Sequence, residues 1–250
     1  MAIDAPDTGT VAGNGPNAER AELDCAQERQ LAGLETLEAA GETVAGWKLG
    51  LTLSASRDAF GVGFRPFGYV LASRVLRSGS TLWWDDTVTE GSIENELCFE
   101  LAETISETVT ADSVRETLKG YAPAFEINQV RVAPDANPAE RVADNLSNWG
   151  LVVGETQPLP ADWSQAVQAT LKVSLLHNAD GVESVRAEDH IDDHFVSLAR
   201  LSNRLLRFGR KLEKGQKVIT GAFCRAREPQ RGLWSGDFGE LGRVHVRIER

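Results

Sequence analysis

The amino-acid sequence predicts an α+β fold of mixed β-sheets with a few helices packed against them. Three observations carry that assignment. Short apolar runs at strand spacing outnumber helical stripes. Strands and helices do not alternate regularly, as a doubly wound parallel sheet would require. No internal repeat and no long interior linker interrupts the chain.

Taken in order, Asn17 to Ala40 reads as a helix, with Leu23, Leu31, Leu34 and Leu37 at helical spacing and Gly41 as its stop. Val44 to Leu51 reads as a strand that carries Lys48 among Trp47, Leu49 and Leu51. A short helix is expected over Ser54 to Phe60, then a Gly- and Pro-bearing loop over Gly61 to Gly68. Tyr69 to Ser73 and Thr81 to Trp84 read as strands, with a turn at Ser78-Gly79-Ser80. A strand over Ser92 to Phe99 follows. Thr110 is placed to cap a helix to about Leu118, with Gly120 ending it. Ala124 to Ile127 is a strand, Ala139 to Asn145 a helical turn, and Leu151 to Val153 a short buried strand. Ala169 to Leu176 and Val182 to Ala187 form a hairpin around Asn178-Ala179-Asp180-Gly181. Asp192 to Phe208 is an amphipathic helix, its stripe made by Phe195, Leu198, Leu201, Leu205 and Leu206. Val218 to Gly221 and Val244 to Ile248 are closing strands.

Composition bounds the function classes. A length of 250 residues allows one sizeable domain, expected over residues 17–250 after a poorly ordered tail at 1–16. The net charge of −11 argues against nucleic acid, which needs a basic face. No apolar run reaches the roughly 20 residues that cross a bilayer, and Met1 to Pro16 has no basic start or apolar centre of a signal peptide. Cys25, Cys98 and Cys224 fit neither a disulfide framework nor a zinc motif, which points to a reducing cytoplasm.

The chemistry concentrates in Ser92-Ile93-Glu94-Asn95-Glu96-Leu97-Cys98-Phe99. Alternation puts Ile93, Leu97 and Phe99 on one face and Glu94 and Glu96 on the other. Two carboxylates so close repel unless a cation lies between them. A third glutamate, Glu126, sits inside the apolar run Ala124-Phe125-Glu126-Ile127, where an unpaired charge is unfavourable. Three converging carboxylates make an all-oxygen site suited to a hard ion such as Mg²⁺ or Mn²⁺. A solvated outer face is the alternative for the pair alone. Cys98 shares the glutamate face and reads more readily as a small core residue.

Five segments in order carry a family resemblance: Gly46-Trp47-Lys48-Leu49-Gly50-Leu51-Thr52, Glu94-Asn95-Glu96-Leu97 with Phe99, Pro123-Ala124-Phe125-Glu126-Ile127, Val142-Ala143-Asp144-Asn145-Leu146-Ser147, and Val218-Ile219-Thr220-Gly221. Together they resemble the 2-keto-4-pentenoate hydratase / 4-oxalocrotonate decarboxylase branch of the fumarylacetoacetate hydrolase superfamily, from about Ala18 to the C-terminus. The resemblance implies mixed sheets rolled into a barrel-like fold around an acidic metal site, and a homo-oligomer. It implies Mg²⁺ or Mn²⁺ on Glu94, Glu96 and Glu126, Lys48 as the catalytic lysine, and Thr220 and Gly221 at the substrate's acid end. Asn145 and Ser147 fall in a stretch near the site. The implied activity is that of a metal-dependent lyase on an unsaturated 2-oxo acid, passing through a metal-bound enolate. Lys48, near the cation, is expected to have a lowered pKa. A lysine stem lying along an apolar face is the bland alternative.

One departure separates hydration from decarboxylation. Hydratases of the branch carry an acid in a loop after the lysine strand, and decarboxylase relatives lack it. Here the loop reads Phe64-Arg65-Pro66-Phe67-Gly68, with Pro66 at the acid's place. That weakens hydratase chemistry and keeps a decarboxylase of a vinylogous 2-oxo dicarboxylate open. Arg65, with Phe67 beside it, is a candidate for binding a second substrate carboxylate, or else a solvated loop arginine. A non-catalytic metal-binding subunit remains a further alternative. His190 and His194 have i, i+4 spacing but lack the glutamate of a zinc-protease helix, and Asp192 or Asp193 beside them reads as a helix cap.

Overall fold

The computed structural model describes residues 16–52, 58, 60, 62–88, 90–160, 163, 171–188 and 190–250. Residues 1–15 of the expected tail and most of the expected helix at Ser54 to Phe60 lie outside them.

Helix α1 (Pro16–Ala39) leads into strand β1 (Val44–Leu49). Then come β2 (Phe67–Leu71), β3 (Val75–Arg77), β4 (Thr81–Trp83), a single helical turn α2 (Trp84–Thr87) and the long β5 (Gly91–Leu101). Helix α3 (Ala111–Glu116) is capped by Thr110, which accepts from the Ser113 amide while the Ser113 hydroxyl accepts from the Thr110 N–H. It ends at Glu116, and Gly120 lies instead in β6 (Leu118–Gln129), where a Cβ would stand 2.0 Å from the Gln157 carbonyl oxygen. Asn137 and Pro138 start α4 (Pro138–Ala143). Strands β7 (Asn148–Val153), β8 (Lys172–His177) and β9 (Asp180–Arg186) follow. The β8–β9 turn has Asn178 and Ala179 at φ 49° and 74°, the left-handed pair that a tight hairpin uses. Helix α5 (His194–Arg207) begins where Asp193 accepts from the Phe195 and Val196 amides. The last strands are β10 (Lys217–Arg227), β11 (Gly232–Asp237) and β12 (Arg243–Glu249).

The strands make two mixed sheets, ordered β2-β1-β10-β5-β6-β7-β3 and β4-β12-β11-β8-β9. Trp47, Phe67, Phe99 and Phe125 of the larger sheet share one apolar cluster with Val244, Val246 and Ile248 of the smaller sheet and with Leu198, Leu201 and Leu205 of α5. The other face of the larger sheet carries a small-residue cluster: Val70, Cys98, Ala122, Ala124, Leu151, Val153 and Ile219. Among the described residues, no helix is long and apolar enough to cross a membrane.

No backbone pairing among the described residues joins the outer strands β2 and β3, so the sheets are not closed into a barrel. A side chain does part of that work. The Asn145 carbonyl oxygen accepts from the Tyr69 amide at 2.7 Å, and its NH₂ donates to the Tyr69 carbonyl at 2.9 Å. Asn145 thus imitates a neighbouring strand for β2, just ahead of β7. Gly68 is required here, since a Cβ would meet Asn145 Oδ1 at 2.9 Å and Lys48 Cγ at 3.0 Å.

Asn145→Ala removes both bonds and places alanine at φ 60°, a conformation that asparagine tolerates better. Urea unfolding is expected to show a loss of about 2–4 kcal/mol. A loss under about 0.5 kcal/mol, the size of a neutral surface change, would mean that the bridge does not hold the sheet.

Candidate metal centre

The small-residue face of the larger sheet turns polar at one end. Glu94 on β5 lies opposite Glu126 on β6, and Glu96 is the next residue of β5 on that face. One oxygen from each of the three lies within 4.8 Å of the others. Their exposures are 5%, 2% and 1%, so these are buried charges rather than a solvated face. Lys48 of β1 reaches the same place, its Nζ 2.7 Å from Glu126 Oε1 and 3.4 Å from the Leu146 carbonyl oxygen.

Neighbouring polar groups pin one oxygen of each carboxylate. Glu94 Oε1 takes the Arg225 guanidinium at 2.6 Å and the Asn128 amide at 3.0 Å. Glu126 Oε1 takes Lys48 and the Asn148 amide at 2.8 Å. Glu96 Oε2 accepts the Gly221 backbone N–H at 2.7 Å. Every hydrogen bond that the three carboxylates make among the described residues falls on that one oxygen. The second oxygen of each is left to a further ligand. Arg225, Asn128 and Asn148 are absent from the sequence reading. The period-2 rule held a signal for Asn128, which follows Glu126 by two residues on a strand. Asn148 and Arg225 arrive from other strands through register, which no local pattern encodes.

The chain bends at β10 to make one of these contacts. Register shifts fall between Ile219 and Ala222 and between Ala222 and Cys224, and Gly221 has φ 140°. A Cβ on Gly221 would lie 2.4 Å from Thr52 Oγ1. Only glycine lets the bulge turn its N–H onto Glu96. Thr220, fully buried beside it, shares a 2.6 Å hydrogen bond with His194 Nδ1.

Burial pushes the carboxyl pKa of Glu94 up, and Glu126 adds to it. Glu96 stands well above the usual carboxylate range, through burial first and then Glu126 and Glu94. For Lys48, burial acts to lower the pKa, but Glu126, Glu94 and Glu96 outweigh it and the direction is up. Among the protein's own groups, three anions dominate; the lowered lysine expected from the sequence belongs to the state with a cation beside it. The set of three carboxylates against Lys48 and Arg225 leaves one negative charge in excess. Its donors are all oxygen, so the chemistry fits a hard divalent cation.

The other sequence candidates have partners of their own. Arg65 is 2% exposed and its guanidinium is held by Asp192 at 2.7 Å and Asp58 at 3.1 Å, so two carboxylates already occupy it. Phe67 pairs with Leu49, not Lys48, and so faces the apolar core, edge-on to Trp47 and Phe208. Asn145 spends its side-chain amide on Tyr69. Asn145, Leu146 and Ser147 form a left-handed turn, at φ 60°, 51° and 62°, whose middle carbonyl receives Lys48. The two histidines do not converge: His190 bonds the Phe223 carbonyl and His194 bonds Thr220.

No protein-family model matches the chain. A 2-oxo-hept-4-ene-1,7-dioate hydratase of Escherichia coli is 27% identical over 222 residues, spanning 84% of this chain and 80% of the relative. A 2-keto-4-pentenoate hydratase of Burkholderia vietnamiensis is 27% identical over 185 residues, 73% of this chain and 69% of the relative. In fold, 4-oxalocrotonate decarboxylase from Pseudomonas putida G7, solved with magnesium and adipate, superposes with TM-score 0.79 at 21% identity over 91% of this chain and 86% of its own. The chain is similar to the hydratase and decarboxylase branch of the fumarylacetoacetate hydrolase superfamily. A fumarylpyruvate hydrolase from Pseudomonas aeruginosa, with Mn²⁺ and pyruvate, shares the fold more distantly, with TM-score 0.57 at 15% identity over 81% of this chain and 88% of its own.

His194 offers a pH test. Burial takes its pKa from the ordinary 6.5 down to about 4. A histidine held neutral in the fold contributes stability that is present above 6.5 and lost as pH falls towards 4. The loss amounts to about 3 kcal/mol. Urea midpoints for His194→Gln are expected to fall less steeply than wild type between pH 6.5 and 4. Parallel pH curves would contradict a buried neutral imidazole.

Proposed function

We propose that this chain is a divalent-metal-dependent lyase acting on an unsaturated 2-oxo acid through an enolate, of the 2-keto-4-pentenoate hydratase type. The observation that carries the proposal is the buried triad of Glu94, Glu96 and Glu126, each with one oxygen that no described residue hydrogen-bonds, beside the Lys48 amine. In it, Glu94, Glu96 and Glu126 hold Mg²⁺ or Mn²⁺. When bound, that ion supplies Lewis acidity that polarises the 2-oxo group and stabilises the enolate charge.

The chain's own residues do the rest. Asn148, Asn128 and Arg225 fix the carboxylates through the oxygens they hydrogen-bond, and the Gly221 N–H does so for Glu96. Lys48 Nζ gives and takes the proton that interconverts the dienol and keto forms, with Glu126 as the neighbouring carboxylate. Thr220 and Gly221 sit at the substrate's acid end, and Ser147 stands on the turn that receives Lys48. Burial of all four charged groups excludes bulk water.

A second reading, decarboxylation of a vinylogous 2-oxo dicarboxylate, is favoured by Pro66. It is buried in the loop where hydratases of the branch carry an acid, and its carbonyl accepts the Gly50 N–H at 2.8 Å. We extend the proposal to a homo-oligomer, supported by Trp83, 57% exposed on the outer strand β4.

The test is turnover of 2-hydroxypenta-2,4-dienoate and of 2-oxohex-3-enedioate with Mg²⁺, followed by loss of the conjugated absorbance and by released CO₂. Glu126→Gln is expected to lose Mn²⁺ binding by calorimetry together with activity. Lys48→Ala is expected to retain Mn²⁺ and lose about 10²–10⁴-fold in kcat. Full turnover in Lys48→Ala, or undiminished Mn²⁺ affinity in Glu126→Gln, would refute these roles. Absorbance loss without CO₂ supports hydration; stoichiometric CO₂ supports the second reading.

A further inference from the structure

A second charged site lies along α5. A cavity of ≈ 320 Å³ opens between α1, the loop at 62–65 and the polar face of α5, and five arginines line it: Arg20, Arg65, Arg200, Arg204 and Arg207. Three of them, Arg200, Arg204 and Arg207, recur at helical spacing along α5 and so share a face. The chain as a whole carries a net charge of −11, so this concentration of guanidinium runs against its average.

Counter-charges are too few. Asp192 serves both Arg65 and Arg200, at 2.7 and 3.3 Å. Asp24 serves both Arg204 and Arg207, at 2.6 and 3.6 Å. Asp58 pairs with Arg65 at 3.1 Å. Arg20 donates to the Phe60 carbonyl oxygen, a neutral partner. Five cations against three carboxylates leave two positive charges in excess among these groups. Two of the guanidiniums are also incompletely satisfied: Arg65 Nη2 and Arg204 Nε are buried without a hydrogen-bond partner among the described residues, on side chains 1% and 8% exposed.

The arginines are also held in place. Arg204 stacks on Phe64, with its guanidinium carbon 4.4 Å from the ring centroid, and lies 5.1 Å from that of Phe208. Gly63, at φ 74°, leaves space against Arg200, whose Nε would lie 3.4 Å from a Cβ there. Packed guanidiniums lose little entropy on binding, and their planar forks match the oxygens of carboxylates and phosphates. The more exposed Arg200 and Arg207, at 33% and 67%, are the ones that reach solvent and an incoming ligand. The cavity volume is at the small end of ligand pockets, which run from about 300 Å³.

We propose that this arginine-lined cavity binds a small multivalent oxyanion, at a site distinct from the three glutamates. Phosphate-based and carboxylate-based anions share the chemistry, and the test separates them. Calorimetric titration of the full chain, with no divalent ion added, uses pyrophosphate in one arm and citrate in the other. Saturable binding at one anion per chain is expected in at least one arm, weakening as salt is raised. Binding in one arm alone assigns the phosphate or the carboxylate class. Arg207→Glu and Arg200→Gln are expected to weaken it by about tenfold or more. Arg231→Glu, a 71% exposed arginine outside the cavity, is expected to leave it unchanged. Thermal unfolding of each variant confirms that it is folded. No saturable binding in either arm, or wild-type affinity in both cavity variants, overturns the proposal.

Discussion

Mutual repulsion among Glu94, Glu96 and Glu126 is the constraint on which the rest of the architecture depends. Three carboxylates within 4.8 Å of one another, each 5% exposed or less, are unfavourable both through lost hydration and through like charge. Register brings them together: β5 and β6 pair so that Glu94 faces Glu126, and alternation adds Glu96. Lys48, Arg225, two asparagine amides and one backbone N–H then offset part of the repulsion, each by a bond to one oxygen. What remains, among the described residues, is one excess negative charge and three oxygens without a hydrogen bond. A divalent cation is the group whose charge and ligand preference match that remainder.

Two local distortions serve this arrangement. The bulge at Thr220–Gly221 breaks the β5–β10 ladder where an N–H must reach Glu96, and glycine makes the turn sterically open. The left-handed turn at Asn145, Leu146 and Ser147 places three non-glycine residues where each is disfavoured by about 1–2 kcal/mol. It persists because its first residue hydrogen-bonds both backbone groups of Tyr69 and its second accepts from Lys48. Backbone strain therefore collects next to the amine that is proposed to move protons.

Much of this was legible in the sequence, where the information is local. The alternation of Ile93, Leu97 and Phe99 against Glu94 and Glu96 located β5 and its two faces, and the stripe from Phe195 to Leu206 located α5. Strands β3 and β11 escaped notice. β3 has three residues, too few to show a period, and β11 is interrupted by Ser235 and Gly236. The sites went the same way. The three glutamates and Lys48 stood out because each is a charge in an apolar run. From the sequence Arg65 reads as a substrate-binding or a solvated arginine, because Asp192, its partner, lies 127 residues away. Phe67 was misplaced because the face of a residue in a loop-to-strand transition depends on pairing, here with Leu49. The raised pKa of Lys48 depends on a three-body geometry that no linear motif states.

The most direct test of the central claim is the anomalous difference map of a crystal of this chain grown with Mn²⁺. The account predicts a single strong peak with one oxygen each of Glu94, Glu96 and Glu126 within about 2.0–2.4 Å. A map without that peak, or with manganese bound elsewhere while any of the three side chains turns away, would contradict it.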